Sequence, residues 1–110
     1  MRVPARGEIW WRSLDPIAGH EQAGRRPCLV LTDRSFNEAS RLAIIAPLTT
    51  KPKGYVTEIP APKGDLQRVI LCHQIRTVSW VDRRAEFDAV VSFATMQRVS
   101  ATMKNLLRLT

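Results

Sequence analysis

The sequence lacks the features of several protein classes. None of its apolar runs approaches the roughly 20 residues that cross a bilayer. The N-terminal stretch MRVPARGEIWW has neither the apolar segment nor the small-residue exit site of a signal peptide. These absences predict a cytoplasmic protein that does not associate with membranes.

Cysteine and histidine are also scarce, with two residues of each type in the 110-residue chain. Cys28 and Cys72 each lie inside an apolar run, where a reduced thiol behaves as a small hydrophobic group, so a disulfide scaffold is not expected. The spacing of these four residues matches no metal-ligand motif. We therefore expect no metal and no cofactor.

The composition is that of a globular domain with an excess of basic residues. Hydrophobic residues make up 45% of the chain and charged residues 25%, and the length suits one domain over residues 1–110. Lys and Arg number 17 against 10 acidic residues, which gives a net charge of +7. This excess favours a polyanionic partner such as nucleic acid, although a merely soluble basic protein stays open on charge alone.

The hydrophobic pattern predicts a mainly β protein that ends in a helix. We expect strands over residues 8–14, 28–32, 42–48, 56–60, 69–80 and 87–91, with residues 34–41 as a polar connection. Ser92 is the predicted N-cap of a helix. Its apolar side chains recur at steps of three and four, at Phe93, Met96, Val99, Met103, Leu106 and Leu107. Together these elements predict a small antiparallel barrel closed by the helix, whose apolar stripe packs against the barrel.

Three tryptophans, Trp10, Trp11 and Trp80, fall in predicted strands. Because neighbouring strand residues point to opposite faces, at most one of Trp10 and Trp11 faces the core, and the other is a candidate for an interface. Core packing is the expected role of strand aromatics, and stacking on unpaired bases is the alternative.

Two loops contain most of the polar chemistry. Residues 19–27 combine a possible general base, a carboxylate, an amide and two guanidiniums between two glycines: Gly19, His20, Glu21, Gln22, Gly24, Arg25 and Arg26. Residues 47–54 supply two hydroxyls and two ammonium groups, Thr49, Thr50, Lys51 and Lys53, which form a natural phosphate contact without the spacing of a Walker motif.

Four stretches, in this order and spacing, resemble the MazF/PemK/Kid toxins of bacterial toxin–antitoxin systems. They are Arg6-Gly7-Glu8-Ile9-Trp10, then Asp15-Pro16 followed by Gly-His-Glu-Gln-x-Gly-x-Arg-Pro, then Pro-x-Thr-Thr, and last Gln74-Ile75-Arg76-Thr77. The resemblance covers nearly the whole chain. It implies an SH3-like barrel of the MazF/CcdB/Kid type, a homodimer, a cognate antitoxin partner, and sequence-selective cleavage of single-stranded RNA.

The resemblance also implies that Arg26 and Thr49 are catalytic. In this reaction the ribose 2′-OH attacks the adjacent phosphorus, and negative charge develops on the phosphoryl oxygens. A permanently charged guanidinium and a hydroxyl can both stabilise that charge. The further candidates for holding RNA are Glu21, Gln22, Arg25, Thr50, Lys51, Lys53, Gln74 and Arg76.

The groups that transfer protons are less clear from the sequence. Kid-type toxins have Arg-Cys-Asp where this chain has Leu71-Cys72-His73, so their acid and base do not carry over. His20 and His73 both occupy active-site positions, and two imidazoles can divide the duties of base and acid near neutral pH. The competing interpretation makes His73 a packed residue, since strand alternation places it with Val69, Leu71 and Ile75.

The function predicted is therefore a metal-independent endoribonuclease toxin. Two other classes stay open: a CcdB-like toxin that binds DNA gyrase and cuts nothing, and a non-catalytic RNA-binding module built on the same barrel.

Overall fold

The computed structural model describes residues 2–13, 25–81 and 85–109. These residues form seven strands and two helices: β1 (Glu8–Ser13), β2 (Arg25–Val30), α1 (Arg34–Ser40), β3 (Leu42–Thr49), β4 (Glu58–Pro60), β5 (Val69–Leu71), β6 (Arg76–Ser79), β7 (Glu86–Val90) and α2 (Phe93–Leu106). The predicted class, a mainly β protein with a C-terminal helix, is confirmed. Neither described helix is long and apolar enough to cross a membrane.

All the strand pairs are antiparallel, in the order β4-β5-β3-β2-β1-β7, with β6 also paired to β3. Strand β3 has two partners because its first half pairs with β6, Leu42 opposite Ser79, and its end pairs with β5, Leu48 opposite Ile70. No ladder joins the edge strands β4 and β7 among the described residues. The sheet is therefore open, whereas the sequence predicted a closed barrel.

Side chains connect the two edges that the backbone leaves apart. The segment after β4 carries Lys63 and Arg68, and both bind the carboxylate of Asp88 on β7. The Nη2–Oδ2 distance from Arg68 to Asp88 is 3.0 Å. Ion pairing thus takes the place of a hydrogen-bonded ladder at this junction.

The hydrophobic core consists of two clusters. One contains Ile9, Leu29, Ala46, Leu48, Ile59, Ala61, Ile70, Cys72 and Val99. The other contains Trp10, Cys28, Val30, Ala43, Ile45, Val78 and Trp80. Ile9 belongs to the first cluster and Trp10 to the second, as expected for consecutive strand residues that point to opposite faces. Trp10 is buried and Trp11 is half-buried, as alternation predicted.

The Arg6–Trp10 stretch has a structural role. Gly7 has a φ of +92°, which favours glycine, and its N–H donates to the carbonyl of Val30. The guanidinium of Arg6 donates to the carbonyl of Leu31 and to the hydroxyl of Ser100 on α2. This motif therefore fastens the start of β1 to β2 and to the C-terminal helix.

Helix α2 begins as predicted. The hydroxyl of Ser92 accepts a hydrogen bond from the backbone N–H of Thr95 at 3.1 Å, which confirms the N-cap. Val99 is buried and Met96 and Met103 pack partly on the first cluster. Phe93, which is 78% exposed, and Leu106 and Leu107 do not pack on the core, so the predicted stripe is correct only for the middle of the helix.

Two predicted elements are wrong. Residues 69–80 form two strands and not one, because β5 and β6 pair with different parts of β3 and the chain turns between them, with the N–H of Gln74 donating to Leu71. Residues 34–41 contain helix α1. Its one buried side chain is the polar Asn37, which donates to the carbonyls of Pro4 and Thr32, so no apolar period marked this helix.

Candidate active site

A cleft of about 290 Å³ lies where β2 begins and β3 ends. Arg26 and Thr49 both line it. The β2–β3 ladder explains this, because it places Cys28 opposite Pro47. Arg26 lies two residues before Cys28 and Thr49 two residues after Pro47, and in an antiparallel pair these two steps run in the same direction along the sheet. Antiparallel pairing thus brings together two side chains from adjacent strands that are separated in the sequence. The described residues that line it are Trp11, Arg25, Arg26, Pro27, Leu48, Thr49, Thr50, Lys51, Leu66 and Arg68.

The lining combines cationic groups, hydroxyls and an apolar surface. Arg25, Arg26, Lys51 and Arg68 are the cationic residues among those that line the cleft. The hydroxyl oxygen of Thr49 accepts a hydrogen bond from the backbone N–H of Lys51 at 3.1 Å. This contact orients the hydroxyl and leaves its own O–H able to donate to an anion. The cleft therefore suits a phosphate flanked by a less polar group.

Arg25 lies at the rim of the cleft and forms an ion pair with Glu86 on β7, with an Nη2–Oε1 distance of 2.9 Å. Both side chains are largely exposed, so the pair contributes little to stability. Arg25 can therefore exchange this carboxylate for a phosphate at small cost.

A second concentration of positive charge surrounds Cys28. Arg12 lies directly opposite Arg26 in the β1–β2 ladder and is buried. Burial raises the pKa of the Cys28 thiol to about 12, and the charges of Arg12, Arg26 and Arg76 oppose that rise. Arg12 on β1, Arg26 on β2 and Arg76 on β6 thus place three positive charges near Cys28. The sequence analysis did not select Arg12, although an arginine within an aromatic strand was a signal available for it.

Both cysteines are free and buried, which confirms the expectation of reduced thiols that pack as hydrophobic groups. Burial also raises the pKa of Cys72, to about 11. At neutral pH neither thiol is ionised, and neither is a nucleophile.

Asp88 binds three donors beside the cleft. Its carboxylate accepts from the indole Nε1 of Trp11 at 3.0 Å, from Nη2 of Arg68 at 3.0 Å, and from Nζ of Lys63. Burial on its own would raise the pKa of Asp88, but the hydrogen bonds from Lys63, Arg68 and Trp11 outweigh it and the pKa lies below its usual value. Trp11 and Arg68 line the cleft, so this cluster forms part of its wall. Sequence reasoning missed it because its members are far apart in the chain.

His73 is half-buried in the turn after β5 and is not one of the described residues that line the cleft. Its Nδ1 lies 2.7 Å from the hydroxyl of Thr57, and its ring meets that of Tyr55 edge-on, with 5.2 Å between the ring centroids. His73 therefore lies in a turn and not in a strand. The interpretation of His73 as a packed residue relied on strand alternation, which does not apply there.

The predicted RNA contacts, together with the predicted catalytic residue His20, divide into three groups. Arg25, Thr50 and Lys51 line the cleft. Lys53, Gln74 and Arg76 are exposed outside it, and the backbone N–H of Lys53 donates to Glu58. His20, Glu21 and Gln22 lie outside the described residues.

Residues 5–107 match the family model for the PemK-like, MazF-like toxin of type II toxin–antitoxin systems. The chain belongs to this toxin family. It is similar to the endoribonuclease toxin MazF of Escherichia coli K12, with 31% identity over 105 residues that cover 96% of this chain and 95% of that toxin.

Solved structures of this family have the same fold as the chain. MazF from Deinococcus radiodurans has a TM-score of 0.87 and 34% identity, covering 99% of this chain and 100% of that one. A MazE–MazF structure from the same organism gives a TM-score of 0.90 at 34% identity and covers 100% of both chains. The resemblance to PemK/MazF toxins predicted from the four sequence stretches is therefore confirmed.

Proposed function

We propose that this PemK/MazF toxin is an endoribonuclease that cuts single-stranded RNA in the Arg26–Thr49 cleft without a metal ion. The enzyme class is supported by relatives named endoribonucleases, including MazF of Escherichia coli K12 at 31% identity. The single observation that carries the assignment of the site is that Arg26 on β2 and Thr49 on β3 line one cleft, although they are far apart in the sequence.

The reaction is an in-line displacement at phosphorus. The ribose 2′-oxygen forms a bond to the adjacent phosphorus, the bond from phosphorus to the 5′-oxygen breaks, and the products carry a 2′,3′-cyclic phosphate and a 5′-hydroxyl. Negative charge grows on the phosphoryl oxygens in the transition state. The Arg26 guanidinium and the Thr49 hydroxyl donate hydrogen bonds to those oxygens, where preorganised donors have their largest effect. DNA is spared because it lacks the 2′-hydroxyl.

Two protons move in this reaction. One leaves the 2′-hydroxyl and one reaches the departing 5′-oxygen. His20 and His73 are the proposed pair for these transfers, since an imidazole can accept or donate a proton near neutral pH. His73 keeps Nδ1 against Thr57, so its Nε2 is the nitrogen left for proton transfer.

The RNA strand is held by cations on both sides of the catalytic pair. Arg25, Thr50 and Lys51 bind it within the cleft. Lys53, Gln74 and Arg76 extend the path beyond it, and Glu21 and Gln22 stay further proposed contacts outside the described residues. Because each phosphate contact releases counterions, binding weakens steeply as salt is added.

The proposal includes a regulatory partner. A MazE–MazF structure from Deinococcus radiodurans resembles this chain with a TM-score of 0.90. We infer that a cognate antitoxin silences this toxin. We also infer that the toxin acts as a homodimer in the cytoplasm. Residues 1–110 would form one toxin domain, and the family match over residues 5–107 covers most of it.

One assay tests the activity. Purified protein is incubated with a long single-stranded RNA in EDTA, and the products are separated on a denaturing gel. Discrete fragments with 5′-hydroxyl ends are expected. Intact RNA that is shifted on a native gel would instead indicate a binding module, and intact, unshifted RNA with inhibition of DNA gyrase would indicate a CcdB-like toxin.

A further inference from the structure

We propose that Trp11 forms a wall of the cleft on which an RNA base beside the cleaved phosphate stacks, and that Asp88 is the positioning residue that orients the indole. The inference rests on the proposed cleavage of RNA. Both residues lie outside the four sequence stretches, and for Trp11 the inference selects base stacking, the alternative that the sequence left open for the three tryptophans.

The surroundings of Trp11 distinguish it from the other two tryptophans. Trp10 and Trp80 are each only 8% exposed, and their indole N–H groups donate to Glu8 and to the carbonyl of Asn37. Trp11 is half-buried and lines the cleft. It is therefore the tryptophan whose ring a ligand can reach.

The apolar part of the cleft suits a flat aromatic group. Pro27, Leu48 and Leu66 line it together with Trp11, and the cations Arg25, Arg26 and Lys51 line the same space. The cleft volume of about 290 Å³ is at the low end for ligand pockets, of roughly 300 Å³ upward, and favours one base over a longer ligand. A nucleotide combines these two properties, since its base stacks on an aromatic face while its phosphate binds cations.

The hydrogen bond from Trp11 to Asp88 determines which part of the indole is available to a ligand. Its Nε1–H is bound by Asp88 at 3.0 Å, so the donor is already satisfied by the protein. The ring then contributes its π face to the cleft and not a polar edge. Stacking of this kind tolerates different bases, because every base has a π face.

Asp88 is held firmly enough to orient the ring. Its side chain is 4% exposed, and it also binds Lys63 and Arg68. Nε of Arg68 donates to the carbonyl of Ala61 at 3.1 Å, which fixes that guanidinium in turn.

Stacking is tested with Trp11→Ala, Trp11→Phe and the control Phe36→Ala, an exposed aromatic on α1. The probe is an RNA oligonucleotide that the wild-type protein cuts, together with its 2′-O-methyl form, which cannot be cut. We expect Trp11→Ala to raise KM by about 5- to 150-fold, the range measured for loss of one base–aromatic stack, with kcat within threefold. Phe36→Ala should leave both constants unchanged.

Fluorescence separates stacking from a structural role. The 2′-O-methyl RNA should quench the tryptophan emission of the wild-type protein. Trp11→Phe keeps an aromatic face, so it should bind within about fivefold of wild type yet lose the quench, because the remaining tryptophans are buried. Asp88→Asn should raise KM and reduce the quench while Trp11 is still present.

Four outcomes would contradict either the inference or the proposed function. An unchanged KM in folded Trp11→Ala, or a full quench in Trp11→Phe, would overturn it while leaving the endoribonuclease intact. An unchanged KM and quench in Asp88→Asn would overturn the positioning role of Asp88. If that variant does not fold, Lys63→Ala, which removes one donor to the carboxylate, takes its place in the same test. Absence of cleavage by the wild type would overturn the proposed function itself.

Discussion

Arg68 and Asp88 form a buried ion pair that joins the two edges of an open sheet. Their side chains are 2% and 4% exposed, and the Nη2–Oδ2 distance is 3.0 Å. Arg68 immediately precedes β5 and Asp88 lies on β7, so the pair connects segments that no backbone ladder joins in the described part of the chain. The same carboxylate binds Trp11 in the cleft wall, which links the closure of the fold to the shape of the site.

We expect Arg68→Ala to lower the free energy of unfolding by about 3–5 kcal/mol, because it leaves the Asp88 carboxylate buried with less compensation. Lys63 is 51% exposed, and Lys63→Ala should cost less than about 1 kcal/mol. Urea denaturation followed by circular dichroism measures both. Equal losses for the two variants would contradict the assignment of Arg68 as the principal partner.

Asp88 also makes stability depend on pH. Its pKa in the folded protein lies below its usual value of 3.8, so the unfolded chain binds the proton more readily. Its contribution is complete above about pH 5, one unit above the unfolded value, and is lost as the pH falls through the lower folded value. Thermal melts between pH 2 and 7 should show this loss as a fall in Tm at low pH. In Asp88→Asn the Tm should fall less steeply as the pH is lowered. Glu8, whose pKa is lowered as well, keeps some acid dependence in that variant.

Arg26→Ala should reduce kcat by at least about 100-fold, the loss typical of one preorganised charge-stabilising donor. Thr49→Val keeps the shape of the side chain and removes its hydroxyl, and it should also reduce kcat. Arg98→Ala on the exposed side of α2 is the matched control and should cut RNA as the wild type does. Near-native turnover by Arg26→Ala would remove this residue from the mechanism.

The dependence of kcat/KM on pH tests the histidines. If His20 and His73 share the proton transfers, the profile should be bell-shaped between about pH 5 and 8, where imidazoles titrate. His20→Ala should remove one limb and His73→Ala the other, each with a rate loss of about 10²- to 10⁴-fold. A flat profile over this range would count against both residues.

Lys51 lines the cleft and should contact one phosphate of the RNA. Lys51→Ala should weaken binding of the 2′-O-methyl RNA at low salt. It should also reduce the slope of log K against log salt by about 0.7, the value for one phosphate contact on a single strand. Filter binding from 50 to 300 mM KCl measures the slope. An unchanged slope would place the Lys51 ammonium away from the backbone of the RNA.

Residues 69–80 show where sequence reasoning fails in this fold. Their continuous apolar and β-branched composition predicts one long strand, but the chain turns after Leu71 because β5 and β6 have different partners on β3. Periodicity records which face of a strand is buried. It contains no information on which distant segment a strand pairs with, so the break could not be predicted.

The amino-acid sequence by itself determined the features that depend on neighbouring residues: the strand-forming runs, the Ser92 cap of α2, the reduced state of Cys28 and Cys72, and the ordered motifs that assign the family. Only the tertiary structure decided which separated side chains meet. Arg26 reaches the same cleft as Thr49 through β2–β3 pairing, and Arg12 lies opposite Arg26 through β1–β2 pairing. Asp88 meets Trp11 through β1–β7 pairing and Arg68 across the open edge of the sheet. The physical reason is that strand pairing and burial act between residues far apart in the chain, whereas propensity and capping act within a few residues.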